Sequence, residues 1–167
     1  MIIICGLARA QEQIDLSGAK SVIGILGPET QHPRYNGIDE AQHLRLSFND
    51  IDEETDGMTA ATASDAQRLV NFISAWDRKA PMVIHCWAGI SRSTATGFTA
   101  LCMLKPKEDE MALAQMLRAA SPSATPNRLI TAKVDTVLGR NGRMLKAVES
   151  IGRGANAYEG QPFKLVI

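Results

Sequence analysis

Residues 85–93 read His-Cys-Trp-Ala-Gly-Ile-Ser-Arg-Ser, with five residues between Cys86 and Arg92. That spacing has a chemical consequence. A thiol at the end of a strand, followed by a tight turn and then a helix, faces converging backbone N–H groups and the positive end of a helix dipole. An anion binds in such a place, and a cysteine there is favoured as the thiolate nucleophile. Arg92 adds a planar fork matched to two phosphate oxygens. Gly89 lets the backbone close on the anion. The loop Trp87, Ala88, Gly89, Ile90, Ser91 and Arg92 is therefore the expected phosphate cradle. Thiolate attack on phosphorus would form a phosphocysteine that water then hydrolyses. Ser93 is placed to hydrogen-bond the sulfur and help it leave. No metal or cofactor is expected, since no Cys or His cluster has zinc-ligand spacing.

These residues need a strand, a turn and a helix in that order. Pro81 opens Met82-Val83-Ile84-His85-Cys86, a continuous apolar run of the kind found in buried central strands. Gly89 marks the turn, and residues 91–104 read as a helix that stops near Pro106. Upstream, residues 2–5 and 21–26 are β-branched runs ended by glycine. Residues 43–48 alternate, with Leu44, Leu46 and Phe48 on one face. Residues 27–37 and 49–60 read as loops, the second acidic. Ser64 and Gln67 form a capping-box pattern ahead of a helix to about Asp77. Trp76 falls at its core period. Further helices are expected over 108–120, around the stripe Ile130, Val134, Val137 and Leu138, and on to about Ile151. The last residues, GQPFKLVI, suit an edge strand. The pattern predicts an α/β fold: a central sheet of four to five strands, mixed or parallel, flanked by helices, in a single domain over 1–167.

A bare C-x5-R match is also consistent with an inert buried thiol at a strand end. The surrounding residues go further. The segment resembles the protein tyrosine and dual-specificity phosphatase signature H-C-x-x-G-x-x-R-[ST], filled here by His85, Cys86, Gly89, Arg92 and Ser93. The resemblance is strongest over residues 43–104 and is of the compact dual-specificity type. The later SPSATPN and LGRNG stretches are similar to small bacterial phosphatase-like proteins. The low-molecular-weight tyrosine phosphatases place their cysteine near the N-terminus, but Gln11 stands where Cys5 would need an arginine.

The resemblance implies a general acid, an Asp on a loop upstream of the cysteine. Asp50 and Asp52 lie 36 and 34 residues before Cys86. Asp50 is preferred because it follows the strand directly in Phe48-Asn49-Asp50, and Asp52 is the alternative. The rest of the acidic loop reads as solvated surface. The resemblance also makes His85 a residue that orders the loop and tunes the thiol. Trp87 is expected to wall the pocket. Cys5, on the first strand, is a candidate for a protective disulfide with Cys86. His32, Arg34 and Tyr35 lie in a loop read as surface; bordering the site is the alternative.

Lys plus Arg and Asp plus Glu number 18 each, so no global field argues for nucleic acid or an anionic membrane as partner. No apolar run reaches the length of a membrane span, and the N-terminus lacks the basic segment of a signal peptide. Three widely spaced cysteines do not form a disulfide framework, which suits a reducing cytoplasmic setting. The expected partner is a phosphorylated protein, phosphotyrosine above all, or a small phosphomonoester. The absence of Lys from the loop argues against inositides. Two rivals use similar parts: a rhodanese-like sulfurtransferase, which needs neither Arg92 nor an upstream Asp, and a phosphate-binding pseudophosphatase module.

Overall fold

Three of the expected strands are so apolar that no face of them belongs in water, and they form the middle of one sheet. The computed structural model describes residues 1–167. Strands β1 (Ile2–Gly6) and β2 (Ser21–Leu26) are buried along their whole length. After β3 (His43–Ser47) and helix α2 (Ala63–Ala75) comes β4 (Met82–Cys86), equally buried. Helices α3 (Arg92–Leu104), α4 (Glu110–Ala120), α5 (Arg128–Val137) and α6 (Arg143–Ile151) follow, then β5 (Phe163–Leu165). The strand order is β3-β2-β4-β1-β5, with β5 antiparallel on the edge and the rest parallel. The sheet is mixed and has five strands, within the expectation of four to five strands, mixed or parallel. Strands buried on both faces are the usual signature of parallel sheets with helices on each side.

Side-chain alternation divides the core. Ile2, Ile4, Met82, Ile84 and Cys86 face the larger cluster, which is completed by residues of α2 to α6. Ile3, Cys5, Val22 and Val83 face a smaller one with Ala10, Ile14 and Tyr35. That second face is covered by α1 (Ala10–Ser17), a helix the sequence reading did not anticipate. Only Ala10 and Ile14 of α1 are buried, a stripe too short to show a helical period, and Gly18 ends it in the left-handed conformation at φ 68°.

Helix starts needed correction. Helix α2 is capped by Thr62, not Ser64. Thr62 Oγ1 accepts from Asp65 N at 3.1 Å and Asp65 Oδ2 accepts from Thr62 N at 2.9 Å. Asp65 takes the place of the usual Glu or Gln, and the reciprocal pair satisfies two of the helix-end donors. Helix α4 starts at Glu110, where Asp109 Oδ1 accepts from Met111 N and Ala112 N. Trp76 is a core residue, as expected, with its Nε1 donating to Ala80 O at 3.0 Å. No helix is long and apolar enough to cross a membrane.

Candidate active site

Strand β4 lies in the middle of the sheet and ends at Cys86, beside Gly6 of β1. The chain then turns through residues 87–91 into α3. Neighbouring segments hold this turn by its carbonyls. Trp87 O accepts from Leu7 N at 3.1 Å and Ala88 O from Gly160 N at 2.8 Å. Ile90 O accepts from Thr125 N at 2.9 Å and Ser91 O from Asn127 N at 3.3 Å. No protein acceptor takes any backbone N–H from Trp87 to Arg92. A run of free donors at the start of a helix is chemically suited to receive an anion. Gly89 is required twice over. Its φ is +72°, and a Cβ there would stand 2.6 Å from Cys5 C and Gly6 N.

The side chains converge on the same turn. Cys86 Sγ lies 3.1 Å from Ser93 Oγ, both buried. Arg92 is 8% exposed; its Nη1 donates to Phe48 O at 2.9 Å, while its Nε has no hydrogen-bond partner. Asp50 Oδ1 accepts from Ser91 Oγ at 2.6 Å and from Asn127 Nδ2 at 2.9 Å. Its Oδ2 is 3.7 Å from Arg92 Nε. Asp52 is elsewhere: its Oδ1 accepts from Arg128 N at 3.0 Å, at the first turn of α5. Of the two carboxylates, Asp50 is the one that touches the loop. Trp87 is 58% exposed beside the loop.

Behind the turn, on the smaller-cluster face, lie all three histidines. His85 is fully buried and its Nε2 pairs with Tyr35 Oη at 2.9 Å. The Tyr35 ring also tilts against His43, with centroids 5.2 Å apart. His32 Nε2 donates to Leu46 O at 3.1 Å. Burial, reinforced by the neighbouring His43 and His32, pushes His85 down to about 3. Burial likewise takes His43 down to about 4. A histidine held neutral in this way is a scaffold for the strand end, not a proton donor at neutral pH. Burial raises the Tyr35 hydroxyl, keeping it protonated. Tyr35 is thus no surface residue. It reaches under the loop because residues 27–37 fold back over the sheet.

Asn127 is the residue that sequence reasoning missed. It is 2% exposed and joins three elements. Its Oδ1 caps α5 by accepting from Ile130 N at 3.0 Å, and its Nδ2 donates to both Asp50 Oδ1 and Ile51 O. The available signal was an Asn directly before the apolar stripe of α5, an N-cap pattern. That pattern marks the cap and not the long-range bonds.

Cys5 stands beside His85 in the parallel register, whereas Cys86 stands beside Gly6. The alternation therefore points the two thiols to opposite faces of the sheet. Burial pushes the Cys5 and Cys102 thiols up to about 12. No group of three His, Cys, Asp or Glu side chains is placed to hold a metal ion.

This architecture, a mixed five-stranded sheet with the cysteine turn at the end of its middle strand, is similar to the fold of solved dual-specificity phosphatases. The likeness spans nearly the whole chain. DUSP15 superposes with a TM-score of 0.63 at 18% identity, over 89% of this chain and 90% of that one. The Yvh1 phosphatase domain of Chaetomium thermophilum gives 0.63 at 17%, over 86% and 93%. PTPMT1, in complex with PI(5)P, gives 0.59 at 13%, over 84% and 94%. No protein-family profile matches the sequence, and no curated protein does.

Proposed function

We propose that this chain hydrolyses phosphate monoesters, phosphotyrosine of proteins first among them, through a phosphocysteine on Cys86. The observation that carries this reading is the run of unpartnered N–H groups from Trp87 to Arg92 beside the Cys86 sulfur. Arg92 Nε adds one more donor without a partner. Together they match the charge on the oxygens of a transferring phosphoryl group.

In this mechanism the Cys86 thiolate forms an S–P bond as the O–P bond to the substrate alcohol breaks. Asp50, in its protonated form, gives its proton to the departing oxygen. A water then attacks phosphorus, losing its proton to the Asp50 carboxylate. The S–P bond breaks, inorganic phosphate departs, and Ser93 Oγ stabilises the leaving thiolate. Phosphate binding supplies Arg92 with a counter-charge other than Asp50, which frees that carboxyl for proton transfer. Asp52, engaged at the N-terminus of α5, takes no part.

The test is hydrolysis of p-nitrophenyl phosphate with EDTA present. The reading expects turnover in the wild type and none in Cys86→Ser. Asp50→Ala should lose about 100-fold in kcat on poor leaving groups and far less on good ones. Activity that persisted in Cys86→Ser would assign the wrong nucleophile. Phosphopeptide binding without turnover would make the chain a binding module, and thiocyanate formation from cyanide would make it a sulfurtransferase.

A further inference from the structure

Beside the phosphate turn lies a second feature that this mechanism does not use. Leu7, Ala8, Trp87, Ala88, Tyr158 and Glu159 line an open cleft of about 240 Å³. It shares Trp87 and Ala88 with the turn itself. The cleft is pinned to the turn from both sides, by Leu7 N on Trp87 O and by Gly160 N on Ala88 O. Its two aromatics stand in water, Trp87 58% exposed and Tyr158 95% exposed. A Trp and a Tyr left uncovered together, next to a reactive centre, are more than scattered apolar surface.

The one charge in the cleft is the Glu159 carboxylate. Its Oε1 is shut off from solvent with no hydrogen-bond partner. Arg9 feels the Glu159 charge through space, but its Nε is already paired with Glu12 Oε2 at 2.5 Å. A carboxylate with no direct ion-pair partner, lining one cleft with two exposed aromatic residues, attracts a cation. The ring quadrupoles draw it to their faces, and the carboxylate supplies the counter-charge. The apolar wall formed by Leu7 and Ala8 suits the methylene stem that carries such a group.

We infer that Trp87, Tyr158 and Glu159 form a subsite for a basic side chain, Arg or Lys, flanking the phosphorylated residue of the substrate. The inference rests on the phosphatase reading and adds a sequence preference to it. The phosphoryl group would sit over Cys86 while the neighbouring cation enters the aromatic cleft. Tyr158 and Glu159 come from the segment after α6, far from the signature in sequence. The preference is therefore set by a part of the chain that does no chemistry.

The experiment uses phosphotyrosine peptides identical except for Arg, Ala, Leu or Glu at both positions flanking the phosphotyrosine. Phosphate release gives kcat/KM with the wild type, Glu159→Gln and Tyr158→Ala. Calorimetry with Cys86→Ser protein gives Kd for the same peptides without turnover. The Arg peptide should exceed the Ala peptide by about tenfold in both measurements, and the Glu peptide should be poorest. Glu159→Gln and Tyr158→Ala should each cut that preference to about threefold or less, with p-nitrophenyl phosphate hydrolysis unchanged within about twofold. Equal binding of Arg and Ala peptides, tighter binding of the Leu peptide, or a preference that survives both variants overturns the subsite. If the wild type fails to hydrolyse p-nitrophenyl phosphate, the phosphatase reading falls, and the Kd series in Cys86→Ser still decides the subsite.

Discussion

Asn127 Nδ2 donates to Asp50 Oδ1 at 2.9 Å, tying the start of α5 to the loop after β3. The same amide nitrogen holds Ile51 O at 3.0 Å, and the Asn127 backbone N–H holds Ser91 O at 3.3 Å. One buried residue, through its side chain and its backbone N–H, thus ties the carboxylate to the turn after β4. Asn127→Ala should lower kcat for poor leaving groups by about tenfold while leaving KM nearly unchanged. Loss of the α5 cap alone would cost about 1 kcal/mol of stability without altering leaving-group dependence. A series of aryl phosphates separates the two, and a uniform loss across the series would reduce Asn127 to a helix cap.

The two candidate acids should separate by stability as well as by rate. Asp52→Ala removes the acceptor of Arg128 N at the first turn of α5, a favourable place for a carboxylate. It should cost about 0.5–1 kcal/mol in urea denaturation and leave kcat within about twofold. Asp50→Ala should show the reverse pattern. If Asp52→Ala instead loses the leaving-group dependence of a general acid, the assignment of Asp50 is wrong.

Acid should destabilise the fold through its histidines. In the folded chain His85 sits at about 3 and His43 at about 4, both below the ordinary 6.5 of an exposed histidine. Below pH 6.5 the unfolded chain therefore binds more protons, so stability falls as pH falls from there toward the folded values. His85 alone should remove about 2 kcal/mol between pH ~7.5 and pH ~5, a range above the titration of most carboxylates. Urea midpoints at the two pH values check this. A flat profile would mean that the buried histidines accept protons without resistance.

Gly89→Ala tests the turn directly. The new methyl would meet Cys5 and Gly6 backbone at 2.6 Å, and φ at +72° is unfavourable for any side chain. A stability loss of at least about 2 kcal/mol, with activity lost, is expected. Gly139→Ala is the control, since it carries a similar φ of +63° with open space around it. Its smaller loss isolates the steric part.

Oxidation should not join Cys5 to Cys86. The two thiols leave adjacent strands toward opposite faces, and bridging them would require one strand end to turn over. Iodoacetate at neutral pH should label Cys86 and spare Cys5 and Cys102, both held protonated by burial. A Cys5–Cys86 peptide after peroxide, found by mass mapping, would show that the turn opens far more than this geometry allows.

What the sequence determined by itself was local. The apolar run of 82–86, Gly89 and the helix after it are features of consecutive residues, so a strand, a turn and a helix with Cys86, Arg92 and Ser93 at their junction could be read directly. The alternation of 43–48 and the edge strand at 163–165 were legible for the same reason. Helix α1 was not, because its buried stripe is two residues long and its existence depends on the sheet face it covers. Tertiary structure alone decided which partners meet. Asn127 reaches Asp50 across 77 positions, and Tyr35 reaches His85 across 50. Glu159 and Tyr158 join Trp87 because Gly160 bonds Ala88. Such pairings follow from strand order and loop closure, which a one-dimensional pattern does not carry. The separation of Cys5 from Cys86 follows from parity. Cys86 ends β4 and Cys5 lies one residue before the end of the neighbouring parallel β1, and that register offset of one residue sends their side chains to opposite sides of the sheet.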